Sequence, residues 1–210
     1  MAKSFNSKLL AIAIFVSGRG SNLRAILDSP KLKDLINVKA VIGDKLYCPA
    51  FDIAKNFSVP VYSVGKREGF TSFDSLKIIL EESQIDLIVL AGFLKLIPED
   101  FVRNFSNRIV NIHPALLPSF GGAGMYGMNV HRAVFESSAQ VSGASVHFVD
   151  ETYDTGKIIA QRCVDISDVK SPEEVAERVL RIEHQLLPDV IEKIALGKVF
   201  VEEFRVRVET

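Results

Sequence analysis

The segment Ile109-Val110-Asn111-Ile112-His113-Pro114 places two polar residues at alternate positions where an apolar run ends. Side chains at alternate positions of a strand project from the same face, so Asn111 and His113 are expected side by side. Histidine titrates near neutral pH and an asparagine amide donates hydrogen bonds, which together suit an oxyanion developing at a carbonyl carbon. A buried histidine and a turn-forming asparagine before a proline give the same pattern, so the pair alone leaves a structural role open.

A candidate partner for this pair is Asp154, in the turn segment Asp154-Thr155-Gly156 between two later apolar runs. A carboxylate close to His113 would favour the imidazolium form and raise the pKa of the ring. The structural alternative is an ordinary turn, because aspartate is a common turn residue.

A glycine-containing loop, residues 17–22, follows the first apolar run and leads into a helical pattern. Backbone N–H groups at such a junction favour an anion. Leu23 stands where a dinucleotide fingerprint needs its third glycine, and the Gly-Lys-Ser/Thr of a Walker A loop is missing. The loop therefore predicts a small phosphate site formed by Gly20, Ser21 and Asn22, against the equal alternative of a glycine turn with a helix cap.

The apolar lip, residues 94–97, follows another apolar run through a glycine. Its residues Leu94, Lys95, Leu96 and Ile97 could hold a flat heterocycle, mainly through backbone groups. Plain core packing is the alternative interpretation.

Strand-like and helix-like segments that would position these residues alternate along most of the chain. The predicted strands are 9–16, 38–42, 59–64, 87–90 and 109–112, and the predicted helices are 22–27, 50–57, 73–82 and one beginning at Pro98. Continuous apolar runs are typical of parallel strands covered on both faces. The pattern predicts an α/β fold with a doubly wound, mainly parallel sheet.

The pattern changes after residue 142. Two strands, 144–149 and 158–164, have no helix between them, so they should be antiparallel additions to the sheet. Ser171 and Pro172 then open a long amphipathic helix, and residues 199–208 alternate like a terminal strand or hairpin arm. We predict a flexible leader at 1–8 and a single domain at 9–210.

Composition excludes several classes of function. The formal net charge of -1 over 210 residues gives no positive field for nucleic acid or anionic lipid. The longest apolar run, 9–16, is far below the roughly 18 residues of a membrane span and precedes no cleavage site, so we expect a cytoplasmic protein. Cys48 and Cys163 lack ligand spacing, and no metal site is expected.

Six motifs occur in the order found in one enzyme family: Gly20-Ser21-Asn22, Ala91-Gly92-Phe93, Asn111-Ile112-His113-Pro114-Ala115-Leu116-Leu117-Pro118, Ser145-Val146-His147-Phe148-Val149, Asp154-Thr155-Gly156 and Glu183-His184. With them the chain resembles, over nearly its whole length, the phosphoribosylglycinamide formyltransferases, which are folate-dependent. The resemblance implies a Rossmann-like formyltransferase fold. It also implies formyl transfer from the co-substrate 10-formyltetrahydrofolate to glycinamide ribonucleotide in purine biosynthesis, by a monomer or homodimer without a metal.

The resemblance also implies a role for each motif. The catalytic residues would be Asn111, His113 and Asp154; the phosphate would bind Gly20, Ser21 and Asn22; Glu183 would bind the ribose or glycinamide end; and the folate would contact Arg67, Leu94, Lys95, Leu96, Ile97 and Asn111.

The sequence departs from the family pattern at three places. Many relatives carry arginine where Lys95 stands, and Arg67 lies in a loop that aligns loosely. Residues 119–131 form a longer and very glycine-rich connection, for which we predict a mobile lid over the amine site.

Other functions share part of this pattern. A formyltetrahydrofolate hydrolase would use the same asparagine, histidine and aspartate on water, but carries an additional amino-terminal domain for which a first strand near Leu9 leaves no room. A transfer-RNA formyltransferase would need a further carboxyl-terminal domain and a basic surface. A non-catalytic phosphosugar-binding module would not explain why Asn111, His113 and Asp154 occur together.

Overall fold

The structure, a computed structural model, describes residues 8–209, so the predicted leader lies outside the described residues except for Lys8. The strands are β1 (Leu10–Val16), β2 (Ile36–Gly43), β3 (Val61–Ser63), β4 (Leu87–Leu90), β5 (Ile109–His113), β6 (Val141–Phe148), β7 (Ile158–Asp165), β8 (Val199–Val201) and β9 (Val206–Val208). The first seven form one sheet in the order β3-β2-β1-β4-β5-β6-β7, and β8 and β9 form a separate antiparallel pair.

Between residues 8 and 209, six helices connect and cover these strands. They are α1 (Ser21–Leu27), α2 (Ala50–Asn56), α3 (Phe73–Glu82), α4 (Glu99–Asn104), α5 (Met128–Glu136) and α6 (Pro172–Ala195). The Ser72 and Ser171 hydroxyls cap α3 and α6 by accepting N–H bonds from Ser75 and Glu174. The predicted start of α6 at Ser171-Pro172 is therefore confirmed.

The sheet is buried on both faces. In β1, Ile12 and Ile14 pack in a core cluster with residues of α1, α2, α5 and α6, whereas Ala13 and Phe15 pack in a second cluster with residues of α3 and α4. Alternate side chains of one strand thus serve opposite layers. The predicted doubly wound, mainly parallel sheet is confirmed.

The antiparallel addition is also confirmed, because β6 pairs antiparallel with both β5 and β7. The terminal segment, 199–208, is a hairpin of β8 and β9, which is one of the two forms that the sequence predicted. Helix α5 is the element that the sequence did not predict. The segment before it is rich in glycine, and the N-cap residue Gly127 makes no side-chain capping bond. The sequence therefore carries no signal for the start of this helix.

No helix in residues 8–209 combines the length and apolar character needed to cross a membrane. The assignment of residues 9–210 to one domain stays a prediction.

Candidate active site

A cavity of about 440 Å³ opens where β4 and β5 end. The carboxyl ends of parallel strands are the usual ligand edge of such sheets. Its lining includes the apolar lip, residues 122–127 and the turn between β6 and β7. The acidic, basic, histidine and amide side chains at its wall are Lys95, Asn111, His113, His131, His147, Asp150, Glu151, Asp154 and Glu183. The structure therefore brings the predicted catalytic residues and Glu183 to one cavity.

The strand pairing places one histidine and one serine opposite the predicted pair. In the register of β5 and β6, Asn111 faces His147 and His113 faces Ser145. Asn111 Nδ2 lies 3.1 Å from His147 Nε2. Ser145 is buried and its hydroxyl donates to the Ala115 carbonyl at 2.7 Å, which fixes the chain just after His113.

His113 is 3% exposed and has a partner at each ring nitrogen. Nε2 lies 2.9 Å from the Phe120 carbonyl and must carry the proton, since a carbonyl only accepts. Nδ1 lies 3.5 Å from Asp154 Oδ2. Burial lowers the pKa of His113 by more than Asp154 and the Phe120 carbonyl raise it. The prediction that Asp154 leaves the ring with a raised pKa is therefore wrong in its net sign, because desolvation outweighs the charge pair.

Asp154 reaches the two histidines from a strained turn. Its φ of 56° lies in the left-handed region, which aspartate tolerates better than most residues. Oδ2 accepts the Gly122 N–H at 2.9 Å, and Oδ1 lies 3.5 Å from His147 Nε2. Burial acts to raise the pKa of Asp154, but contacts with His147, Gly122 and His113 outweigh it and hold the pKa below its usual value.

The glycine loop is shaped by close packing. Gly20 has a φ of 77°, and a Cβ built there would lie 2.7 Å from the Ala50 Cβ, so only glycine fits. The loop is tied to the apolar lip because the Ser17 hydroxyl accepts the Leu94 N–H at 2.8 Å. Gly20 and Ser21 do not line the cavity, and Ser21 is exposed.

Asn22 departs from its predicted role. Its side chain is 6% exposed, and Nδ2 donates to Glu183 Oε2 at 2.6 Å, so the amide faces the protein and only the backbone N–H remains for a phosphate. Burial raises the pKa of Glu183 to about 7, although the Asn22 hydrogen bond lowers it. The Asn22–Glu183 pair, as we call it below, links the glycine loop to the cavity.

The predicted folate residues are only partly brought together. The cavity is lined by all four residues of the apolar lip, Leu94, Lys95, Leu96 and Ile97. Leu94 and Leu96 are 49% and 58% exposed, so their apolar surface is accessible to a ring. Lys95 Nζ lies 3.5 Å from the Val64 carbonyl and 5.7 Å from the centre of the Phe70 ring. Val64 and Phe70 belong to the connection between β3 and α3, residues 64–72, which we call the Arg67 loop. Arg67 itself is exposed and does not line the cavity.

Sequence reasoning missed two histidines. His147 could have been found, because pairing the predicted strands places it opposite Asn111. His131 lies in the unpredicted helix α5, is 7% exposed, and its Nδ1 is buried without a hydrogen-bond partner among residues 8–209. Burial and the nearby charge of His113 lower the pKa of His131 to about 4, so the ring is neutral at physiological pH.

The predicted lid, residues 119–131, is shorter than expected. From Met128 the chain is helical, and Val130 and His131 are buried in α5. Residues 119–127 remain as the connection, and they contribute the Phe120 carbonyl and the Gly122 N–H described above. In the described part of the chain, no cluster of three or more histidine, cysteine or acidic residues could hold a metal ion.

Comparisons with known proteins agree with this geometry. Residues 10–191 match the family model described as formyl transferase. The chloroplastic phosphoribosylglycinamide formyltransferase of Vigna unguiculata is 45% identical over 87% of this chain, and that of Arabidopsis thaliana is 43% identical over 86%. The chain spans 60% and 63% of the lengths of these two relatives.

A solved structure agrees over its whole length. Glycinamide ribonucleotide transformylase 1 from Symbiobacterium toebii is 31% identical, with a TM-score of 0.87 over 100% of this chain and 99% of that one. The resemblance drawn from the motifs is confirmed at the level of the family, and the chain belongs to the formyl transferase family.

Proposed function

We propose that the chain transfers the formyl group of 10-formyltetrahydrofolate to the amine of glycinamide ribonucleotide. The products would be formylglycinamide ribonucleotide and tetrahydrofolate, in purine biosynthesis. The observation that carries the proposal is the meeting of Asn111, His113 and Asp154 with Glu183 and the apolar lip in one cavity. The names of the relatives support the choice of substrates.

In the proposed reaction the amine attacks the formyl carbon, and a tetrahedral intermediate then releases the folate nitrogen. Asn111 donates an amide N–H to the oxyanion, which is the kind of preorganised donor such an intermediate needs. Because His113 Nε2 is already protonated, Nδ1 is the nitrogen that gains the second proton, facing Asp154 at 3.5 Å. Asp154 is ionised near neutral pH and stabilises that imidazolium while a proton moves from the amine toward the leaving nitrogen.

The phosphosugar would bind at the other end of the site. Gly20, Ser21 and the backbone of Asn22 would hold the phosphate, and Glu183 the ribose or glycinamide end. The Asn22–Glu183 pair supports this placement, because it joins the two predicted contacts through one hydrogen bond of 2.6 Å.

The folate would lie against Leu94, Leu96 and Ile97, with Asn111 beside its formyl group. Lys95 and Arg67 are the proposed contacts for its carboxylate tail, and the Lys95 contact with the Arg67 loop through Val64 supports that grouping. The reaction as proposed uses no metal.

Residues 119–127 form the proposed mobile lid. The lid contacts the reactive groups through two hydrogen bonds: His113 Nε2 donates to the Phe120 carbonyl, and the Gly122 N–H donates to Asp154. Movement of the lid would therefore expose His113 and Asp154. Amide exchange as slow as that of β1, with and without substrates, would contradict the lid.

Deformylation of 10-formyltetrahydrofolate, followed with and without glycinamide ribonucleotide, tests the function. We expect turnover only when the amine is present. Turnover without it would indicate a hydrolase, and none in either case a phosphosugar-binding module. We also propose a single cytoplasmic domain, monomeric or homodimeric and without a nucleic-acid partner, which sedimentation can test for oligomeric state.

A further inference from the structure

We propose that His147 is a positioning residue for the reaction: it accepts one N–H of Asn111 and thereby reserves the other N–H for the oxyanion. The inference rests on the proposed function for its catalytic meaning. Its structural part depends only on the hydrogen bonds of two side chains, and it assigns a role to a histidine outside the predicted set.

The first step is the tautomer of His147. Its Nδ1 lies 2.7 Å from the carbonyl of Phe148, the next residue. A carbonyl oxygen has no proton to give, so Nδ1 must be the donor. A neutral imidazole carries one proton only, which leaves Nε2 with a free lone pair. The backbone of β6 therefore makes Nε2 an acceptor.

The second step is the orientation of the Asn111 amide. Only its nitrogen can donate to the Nε2 lone pair, and Nδ2 lies 3.1 Å away. A rotated amide would set its carbonyl oxygen against that lone pair, which is repulsive. One Nδ2 proton is thus used by His147, and the second is the donor that remains for a substrate oxygen.

The third step is the charge balance of the cluster. His113, His131 and His147 line the same cavity, where Asp154 is the carboxylate in contact with His113 and His147. Asp154 Oδ1 lies 3.5 Å from the same His147 Nε2, and a proton on that nitrogen would serve the contact that helps to lower the pKa of Asp154. The shorter approach of Asn111 Nδ2, at 3.1 Å, favours a lone pair on Nε2 instead. A second buried imidazolium would lack a counterion of its own, and desolvation penalises it. The geometry therefore places the additional proton of the reaction on His113 Nδ1, which faces Asp154 Oδ2 at 3.5 Å.

The kinetic test replaces His147 by a residue without an acceptor and by one with an acceptor. His147→Leu should lower kcat roughly tenfold to a hundredfold with little change in the KM for glycinamide ribonucleotide, since loss of one such donor costs about a hundredfold or more. His147→Gln, whose side-chain oxygen can accept from Asn111, should recover a large part of kcat. In an Asn111→Ala background, His147→Leu should change kcat less than about threefold, because the amide to be oriented is gone.

The second test does not depend on activity. Nitrogen-15 NMR of labelled histidines at pH 7.5 should show His147 as the neutral tautomer protonated on Nδ1, with the signal assigned by its loss in His147→Gln. An Nε2-protonated ring or an imidazolium would overturn the inference, as would equal losses of kcat for His147→Leu in both backgrounds. If the wild-type protein transferred no formyl group, the proposed function would be wrong. The NMR measurement of the His147 tautomer would still show whether His147 accepts a hydrogen bond from Asn111. The tautomer also decides it if His147→Leu does not fold.

Discussion

Two carboxylates that line the cavity, whose surroundings we call the Asp154 end and the Glu183 end, have pKa values that move in opposite directions. Asp154 has partners from three segments of the chain, at His113, Gly122 and His147, and its pKa lies below the usual value. Glu183 is held by the single bond from Asn22, and its pKa rises to about 7. Glu183 is buried and Asp154 is half-buried, so the depth of burial and the supply of donors and charges together decide the protonation state of each carboxyl.

This contrast has a consequence for stability. The pKa of Glu183 in the folded protein lies above the ordinary value of 4.5. Its contribution to the free energy of unfolding is therefore complete below pH 4.5 and is lost as the pH rises through about 7. The pKa of Asp154 is depressed, so its contribution is present above the unfolded pKa and is lost as pH falls through the folded one. The Asp154 carboxylate is therefore ionised at neutral pH, whereas the Glu183 carboxyl is largely neutral below about pH 7.

The largest expected effect comes from removing the charge at the Asp154 end. Asp154→Asn and His113→Ala should each lower kcat by roughly two to four orders of magnitude, because the imidazolium loses its partner or disappears. The KM for glycinamide ribonucleotide should change only a few-fold, since the proposed phosphate site is the glycine loop. Asp52→Asn, an exposed carboxylate on α2, is the control. Near-normal turnover in either variant would remove the distinction between the two ends.

Neutralising Glu183 should change the stability of the fold in a way that depends on pH. Glu183→Gln resembles the protonated form, so at pH 8 its free energy of unfolding should exceed that of the wild type by up to about 3 kcal/mol, because folding raises the pKa of the Glu183 carboxyl from 4.5 to about 7. The gain should vanish near pH 4. Urea unfolding at both pH values measures it, with the exposed Glu177→Gln on the same helix as control. An equal gain at both pH values would show that packing, not charge, is responsible.

A smaller effect is expected at the glycine loop, which the Asn22–Glu183 pair joins to the cavity. Gly20→Ala places a Cβ 2.7 Å from Ala50 at a φ of 77°, so the loop must shift. We expect the KM for glycinamide ribonucleotide to rise roughly tenfold, about 1.4 kcal/mol, with kcat nearly retained. Gly18→Ala is a matched control, because its added Cβ would meet nothing within 4 Å. A fall in kcat alone would place the loop at the reacting end instead.

The sequence is sufficient to predict most of the sheet and the meeting of Asn111, His113 and Asp154 in one cavity. Strands such as β4 are buried throughout, and continuous apolar runs reveal them. Asn111 and His113 share a face by local periodicity, which needs no tertiary information. The inward turn of Asn22 toward Glu183 depends on residues 161 positions apart, and the net pKa of His113 depends on its burial, so neither was accessible from local pattern.

The smallest expected effect is at Lys95 of the apolar lip, one of the two proposed contacts for the carboxylate tail of the folate. Lys95 is exposed, so Lys95→Ala should raise the KM for 10-formyltetrahydrofolate only about threefold, and the effect should fade at high salt. Lys95→Arg should equal or improve on the wild type, because a guanidinium binds a carboxylate with two parallel bonds. Lys33→Ala, also exposed, is the control. If Lys95→Ala changes nothing at low salt while Arg67→Ala raises this KM, the tail lies on the Arg67 loop, and Lys95 serves only to hold that loop through Val64 and Phe70.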